Sequence, residues 1–199
     1  MLIGICGKAR SGKDTVAEHL SCVYGFETYS LAKPLKSLVM DLFQMSHEQA
    51  YGDAKEIIDP RYDKSPRWLL QFIGTEVFRD LYDDIWIDAG MREYRKCLND
   101  RRQQCVELCE PALDFGFVIP DVRFPNEFEA IKRNGGYIWK TVREDHIGAS
   151  SGIEGHRSET SLDSIPDSDF DHILHAASGQ IAFLLEQADN GIHKIHKDT

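Results

Sequence analysis

The sequence predicts a three-layer α/β fold with a central, mainly parallel sheet. Short apolar runs recur at residues 2–6, 26–30, 115–120, 137–142 and 170–175. Segments of helical pattern separate them, and strands alternating with helices are joined as parallel neighbours by crossover helices. The first run, Leu2-Ile3-Gly4-Ile5-Cys6, carries no polar side chain, as a strand covered on both faces requires.

The elements follow in order. Val16, Ala17 and Leu20 give helical spacing to a segment expected from about Gly12 to Tyr24. Leu31-Ala32-Lys33-Pro34-Leu35-Lys36 leads into a helix reaching about Gln44, with Pro34 accommodated in its first turn. Residues 46–65 are polar, turn at Asp59-Pro60, and are expected as a loop on one rim. Ser65-Pro66 opens the next helix, with a hydroxyl cap and proline at the first position. Leu70, Ile73, Val77 and Leu81 form its apolar stripe. A further helix is expected from about Asp84 to Leu98, followed by a charged, less regular stretch over 99–112. Glu127 to Asn134 reads as a helix closed by Gly135-Gly136. Residues 143–168 read as a mobile loop with a little helix, and Gln180 to Ala188 as the last helix, with a frayed tail from Asn190. The whole chain, 1–199, is expected as one domain with a helical insertion over 46–112 and a lid-like segment over 143–168.

Net charge is −10, from 33 acidic and 23 basic residues. Such a balance argues against general nucleic-acid binding, which runs on phosphate neutralisation. A small anion remains open where bases cluster, at Lys8–Lys13, Lys33–Lys36 and Arg92–Arg102. The five cysteines lack disulfide-framework or zinc spacing and are read as reduced thiols in a cytoplasmic setting. No apolar run approaches a membrane span, and Met1 leads into a strand, so neither a membrane nor a signal peptide is expected.

Gly7-Lys8-Ala9-Arg10-Ser11-Gly12-Lys13-Asp14-Thr15 follows the first strand. It has the G-x-x-x-x-G-K spacing of a phosphate-binding P-loop. Backbone N–H groups of such a turn point at a phosphate chain, and the following helix adds its positive end. Lys13 would reach the outer phosphates. The next position is usually Ser or Thr for Mg²⁺. Here Asp14 stands there, able to hold the metal or only to face the helix dipole, with Thr15 one position late.

A second constellation is Val118-Ile119-Pro120-Asp121-Val122-Arg123, followed by Glu127. An acid at the carboxyl end of a buried strand lies where a P-loop fold organises magnesium, which makes Asp121 a candidate metal ligand and catalytic residue. Arg123 could grip a phosphate bidentately. Arg10 lies inside the loop as the best cis charge for the transition state. On the helix after Ser65, Gln71, Glu76, Arg67, Arg79, Trp68, Phe72 and Phe78 are placed to read a base or hold a second phosphate. Aromatics at this spacing are also what a core uses.

These segments together resemble the bacteriophage deoxynucleoside monophosphate kinases. The resemblance runs through Arg10-Ser11-Gly12-Lys13-Asp14-Thr15, Leu31–Lys36, Leu70–Glu76, Val118–Arg123 with Glu127, Gly135-Gly136 and His156-Arg157-Ser158-Glu159. It implies a P-loop kinase fold, Mg²⁺, and phosphoryl transfer from ATP to a deoxynucleoside monophosphate. Gly7, Ser11, Gly12, Lys13, Asp14 and Thr15 would then hold ATP and metal, with Asp14 and Asp121 as metal ligands. Arg10, Lys13, Asp121 and Arg123 would act in catalysis, and Lys33, Arg67, Gln71, Phe72, Arg123 and Glu127 would bind the acceptor. Whether the chain works alone or as a homodimer stays open. Rival readings are a kinase of another small metabolite, of the phosphomevalonate or dephospho-coenzyme A type, and a module that binds ATP without transferring phosphate.

Overall fold

In the computed structural model, residues 1–108, 115–144, 153 and 155–198 are described. Five strands form one sheet: β1 (Leu2–Cys6), β2 (Glu27–Thr28), β3 (Phe117–Ile119), β4 (Tyr137–Arg143) and β5 (His172–Ala176). Their order is β2-β3-β1-β4-β5, and every pairing is parallel. β1 is therefore central, and the carboxyl ends of all strands open on one edge, where ligands bind in such sheets.

Alternation along β1 divides the core. Ile3 and Ile5 pack with Val16, Leu20, Trp139, Leu184 and Ile192, under α1 (Lys13–Tyr24) and α8 (Ile181–Asp198). Leu2 and Cys6 face the other layer, with Ile87, Met91 and Ile131 from α5 (Ile85–Leu108) and α6 (Pro125–Arg133). A third cluster, Leu35, Val39, Met45 and Leu69, joins α2 (Lys33–Phe43) to α4 (Pro66–Phe72) beside the carboxyl edge of the sheet.

Several expectations change. Residues 46–65 hold α3 (His47–Tyr51), opened by a Ser46/Gln49 capping box, and a 3₁₀ turn at Asp53–Glu56. α5 continues to Leu108 rather than ending near 98. Its exposed end is built from good helix formers joined by contacts such as Gln103 Nε2 to Glu107 at 2.8 Å. The tail is also helical: Leu184, Ala188, Ile192 and Ile195 are buried on one face of α8, while His193 and His196 stay exposed.

The largest departure is in the helix opened by Ser65, which accepts the Trp68 N–H as its cap. Residues Ile73–Arg79 form a π segment, with the Asp80 N–H bonded to the Thr75 carbonyl five residues back. The wider turn shifts the buried face. Thr75 and Arg79 point inward at 4% and 3% exposure, while the expected core residues Val77 and Leu81 are 47% and 81% exposed.

Of the segment read as a lid, residues 145–152 and 154 lie outside the described residues. Its far side is packed. It carries the short helix α7 (Arg157–Thr160) and a 3₁₀ turn at Asp167–Asp169, and His156 is 4% exposed.

Candidate active site

The loop after β1 is shaped by three residues in the left-handed region: Gly7 (φ 144°), Arg10 (φ 61°) and Gly12 (φ 96°). Gly12 is the N-cap of α1, so the helix's free N–H groups face the loop. Gly7 has no room for a side chain. A Cβ there would lie 2.4 Å from both the carbonyl and the hydroxyl oxygen of Thr141. Gly7→Ala is expected to cost about 1–3 kcal/mol and to abolish phosphate binding, as urea unfolding and calorimetric titration would record.

Lys13 is nearly buried, and its ammonium donates to the carbonyls of Gly7 at 2.8 Å and Lys8 at 2.7 Å. Burial, helped by the Arg123 charge, pushes its pKa down to about 8. Asp14, exposed in the first turn of α1, lies beside it at the cleft. Ser11 does not present its side chain to a ligand. Its hydroxyl bonds Thr141 Oγ1 at 2.7 Å, and Thr141 donates onward to the Cys6 carbonyl at 3.1 Å, tying the loop to β4. Thr15 lies outside the cleft lining.

The loop opens on a cavity of about 330 Å³. Arg10, Lys13 and Asp14 line one side, and Lys36, Lys55, Arg67 and Gln71 are also on its wall. Of the expected acceptor residues, Arg67, Gln71, Arg123 and Glu127 reach the cavity wall and two do not. Lys33 is exposed, its ammonium 5.8 Å from the Tyr29 ring centre. Phe72 is 39% exposed and stacks on Trp68 with ring centres 5.0 Å apart. Lys36, three residues after Lys33, lines the cavity instead, over the Tyr51 ring at 4.0 Å. The signal for it was present in the Lys33–Lys36 cluster, but only the start of α2 at Lys33 settles which lysine turns inward.

The two acids after β3 have structural work. Asp121 accepts Ser30 Oγ at 2.6 Å and the N–H groups of Leu31 at 2.8 Å and Ala32 at 3.0 Å. It thereby fixes the turn that carries α2, with three of the carboxylate's acceptor positions engaged, while the residue also lines the cavity. Glu127, 2% exposed, pairs with Arg79 and accepts the backbone N–H groups of Arg123 at 2.7 Å and Phe124 at 3.1 Å. It caps α6 from the cavity wall, and Arg79, on the same wall, is paired with it. Arg123 is held by Glu159 at 2.6 Å. Burial alone would raise the Glu159 carboxyl, but the Arg123 guanidinium outweighs it and holds the pKa below the usual range.

The segment 156–163 joins these parts, a role not legible beforehand. His156 Nδ1 accepts the Ser158 N–H at 3.1 Å, which leaves Nε2 to donate to Glu76 at 3.0 Å. Lys8 donates to the Glu159 carbonyl at 2.7 Å and to Asp163 at 2.6 Å. The P-loop, the π segment and Arg123 therefore meet on one short element.

The family profile described as "Deoxynucleotide monophosphate kinase" matches residues 1–59, which take in the P-loop, β2 and α2. A protein of Acanthamoeba polyphaga mimivirus, named "Putative deoxynucleotide monophosphate kinase", is 36% identical over 182 residues, covering 85% of this chain and 86% of that one. The chain belongs to the deoxynucleotide monophosphate kinase family. As a member of this family it is assigned to the phosphotransferases. Two solved structures are more distant. TT1252 from Thermus thermophilus is 16% identical with a TM-score of 0.46, covering 98% of this chain and 96% of its own. Dephospho-CoA kinase from Campylobacter jejuni is 17% identical with a TM-score of 0.41, covering 99% and 98%. At those values neither bears on activity. Among the described residues no helix is long and apolar enough to cross a membrane.

Proposed function

We propose that the protein transfers the γ-phosphoryl group of ATP to a deoxynucleoside monophosphate, giving ADP and the deoxynucleoside diphosphate. The observation that carries this is the shared cavity: the P-loop lysine and, apart from it, Lys36, Lys55 and Arg67, the last paired with Glu56 at 2.6 Å, line one space. A site that only bound a triphosphate would not need Lys36 and Lys55 on the same wall.

The reaction forms a bond from an acceptor phosphate oxygen to the γ-phosphorus and breaks the bond from that phosphorus to the ADP oxygen. The transition state is loose, so the protein's part is positioning and charge stabilisation. The attacking oxygen belongs to a phosphate whose second pKa is about 6, so at neutral pH it is already ionised. No carboxylate is needed as base, which agrees with Asp121 and Glu127 both being engaged in holding backbone. Lys13 leaves the Gly7 and Lys8 carbonyls for the outer phosphates of ATP. Arg10 at the loop and Arg123 at the cleft supply further positive charge, while Arg67 and Lys36 hold the acceptor phosphate.

Asp14 fits a magnesium ion carried by the nucleotide, since Mg²⁺ commonly takes one or two carboxylates and keeps phosphate and water as its other ligands. Among the described residues no cluster of three metal-binding side chains offers an all-protein site. Bound there, Mg²⁺ would neutralise charge on the phosphates. Water exclusion falls to the walls of the cleft and to the element around Glu159.

The low pKa of Lys13 gives a signed pH dependence. With the ammonium at about 8 in the free protein, raising pH neutralises it, and bound phosphate needs it charged, so binding takes up a proton. ATP affinity is expected to be about tenfold weaker at pH 9 than at pH 7. Lys13→Arg, which stays protonated, should remove that fall in calorimetric titrations. The activity is tested by ADP release with ATP and Mg²⁺: release that depends on an added deoxynucleoside monophosphate supports the proposal, and release indifferent to it contradicts it.

A further inference from the structure

One wall of the cleft carries Gln71 and, four residues on, Thr75. Gln71 is 9% exposed, and its Oε1 accepts the Ile153 N–H at 2.7 Å. A backbone N–H only donates, so the amide oxygen must face Ile153 and the orientation of the amide is fixed. Its Nε2 has no partner among the described residues. The wall around it is apolar and close. Leu35 and Leu70 line it, a Cβ on Gly74 would lie 2.6 Å from Leu35, and the Trp86 indole N–H is engaged by the Gly74 carbonyl at 3.0 Å. Thr75 can both donate and accept, so it does not discriminate by polarity. The Nε2 end of Gln71 can only donate.

We infer that Gln71 selects the acceptor base by polarity, favouring nucleobases that present a carbonyl oxygen over those that present an amino group at the same place. This rests on the deoxynucleoside monophosphate reading. An amino group opposite Nε2 sets donor against donor, and both are then desolvated without a partner. Ile153 acts through Gln71 as a positioning group: its N–H holds the amide so that the donor is the atom offered.

The test uses acceptors that differ at one exocyclic group and the ring nitrogen beside it: deoxyinosine against deoxyadenosine monophosphate, and deoxyuridine against deoxycytidine monophosphate. For the wild-type protein, kcat/KM is expected to favour the carbonyl member of each pair by about tenfold. In Gln71→Glu one oxygen keeps the Ile153 N–H and the other becomes an acceptor, so the preference should move toward the amino member. In Gln71→Leu the ratio should fall to about one. Melting temperature and ATP affinity establish that each variant is folded; if Gln71→Glu is not, the wild type and Gln71→Leu decide. Equal kcat/KM within the wild-type pairs, or a ratio unmoved in Gln71→Leu, overturns the inference. Phosphorylation of none of the four overturns instead the kinase reading on which it stands.

Discussion

Arg79→Ala should destabilise the protein by about 3–5 kcal/mol, read from the shift of its urea unfolding midpoint. The arginine side chain is 2% exposed and its Glu127 partner 3%. The guanidinium also donates to the Asp83 carbonyl at 2.7 Å and lies over the Phe124 ring at 3.7 Å. Removing it leaves a buried carboxylate paired only with two backbone N–H groups. Burial already pushes the Glu127 pKa up, against the pull of Arg79. Without that pull it rises further, so the deficit should narrow as pH falls and Glu127 takes up a proton. Arg79→Met combined with Glu127→Gln should recover part of the loss, because the amide oxygen can keep the Arg123 and Phe124 N–H groups while the stranded charge is removed. A single variant as stable as the wild type would show that the pair does not anchor α6 to the π segment.

Lys13→Ala should lower kcat/KM by on the order of 10³-fold, in the range of removing one charge-stabilising group from a phosphoryl-transfer or oxyanion site. The fold should survive. The lysine is nearly buried with its charge desolvated, and in the free protein it satisfies only the two loop carbonyls of Gly7 and Lys8. Far-UV circular dichroism and the melting temperature should stay close to wild type while turnover is lost. A fall in activity of less than tenfold with binding intact would remove Lys13 from the transition state.

What could be read from sequence was local. The strand, the turn glycines and Lys13 lie within twelve consecutive residues, and their spacing alone specifies a phosphate-binding loop. The parallel sheet was equally legible, because alternation of strand and helix leaves few topologies. The surroundings of other candidate residues depend on distant partners. Asp121 stands at the end of β3, but the turn it holds, Ser30–Ala32, lies about ninety residues earlier. Glu127 finds Arg79 only through the π segment, a change of helical phase that no apolar stripe announces. The same shift exposes Val77 and Leu81 and brings Thr75 to the cleft. Lys33 and Lys36 differ only in which face of α2 they occupy. The tail misled because its polar histidines and lysines hide a buried stripe completed by Ile192 and Ile195.

The central claim is that one cavity brings a triphosphate donor and a monophosphate acceptor together. The most direct test follows the label of γ-³²P ATP incubated with the protein, Mg²⁺ and a deoxynucleoside monophosphate, with products separated by chromatography. Label recovered in the deoxynucleoside diphosphate, and absent with Lys13→Ala, is the predicted result. Label recovered only as inorganic phosphate, or retained in ATP, would contradict it.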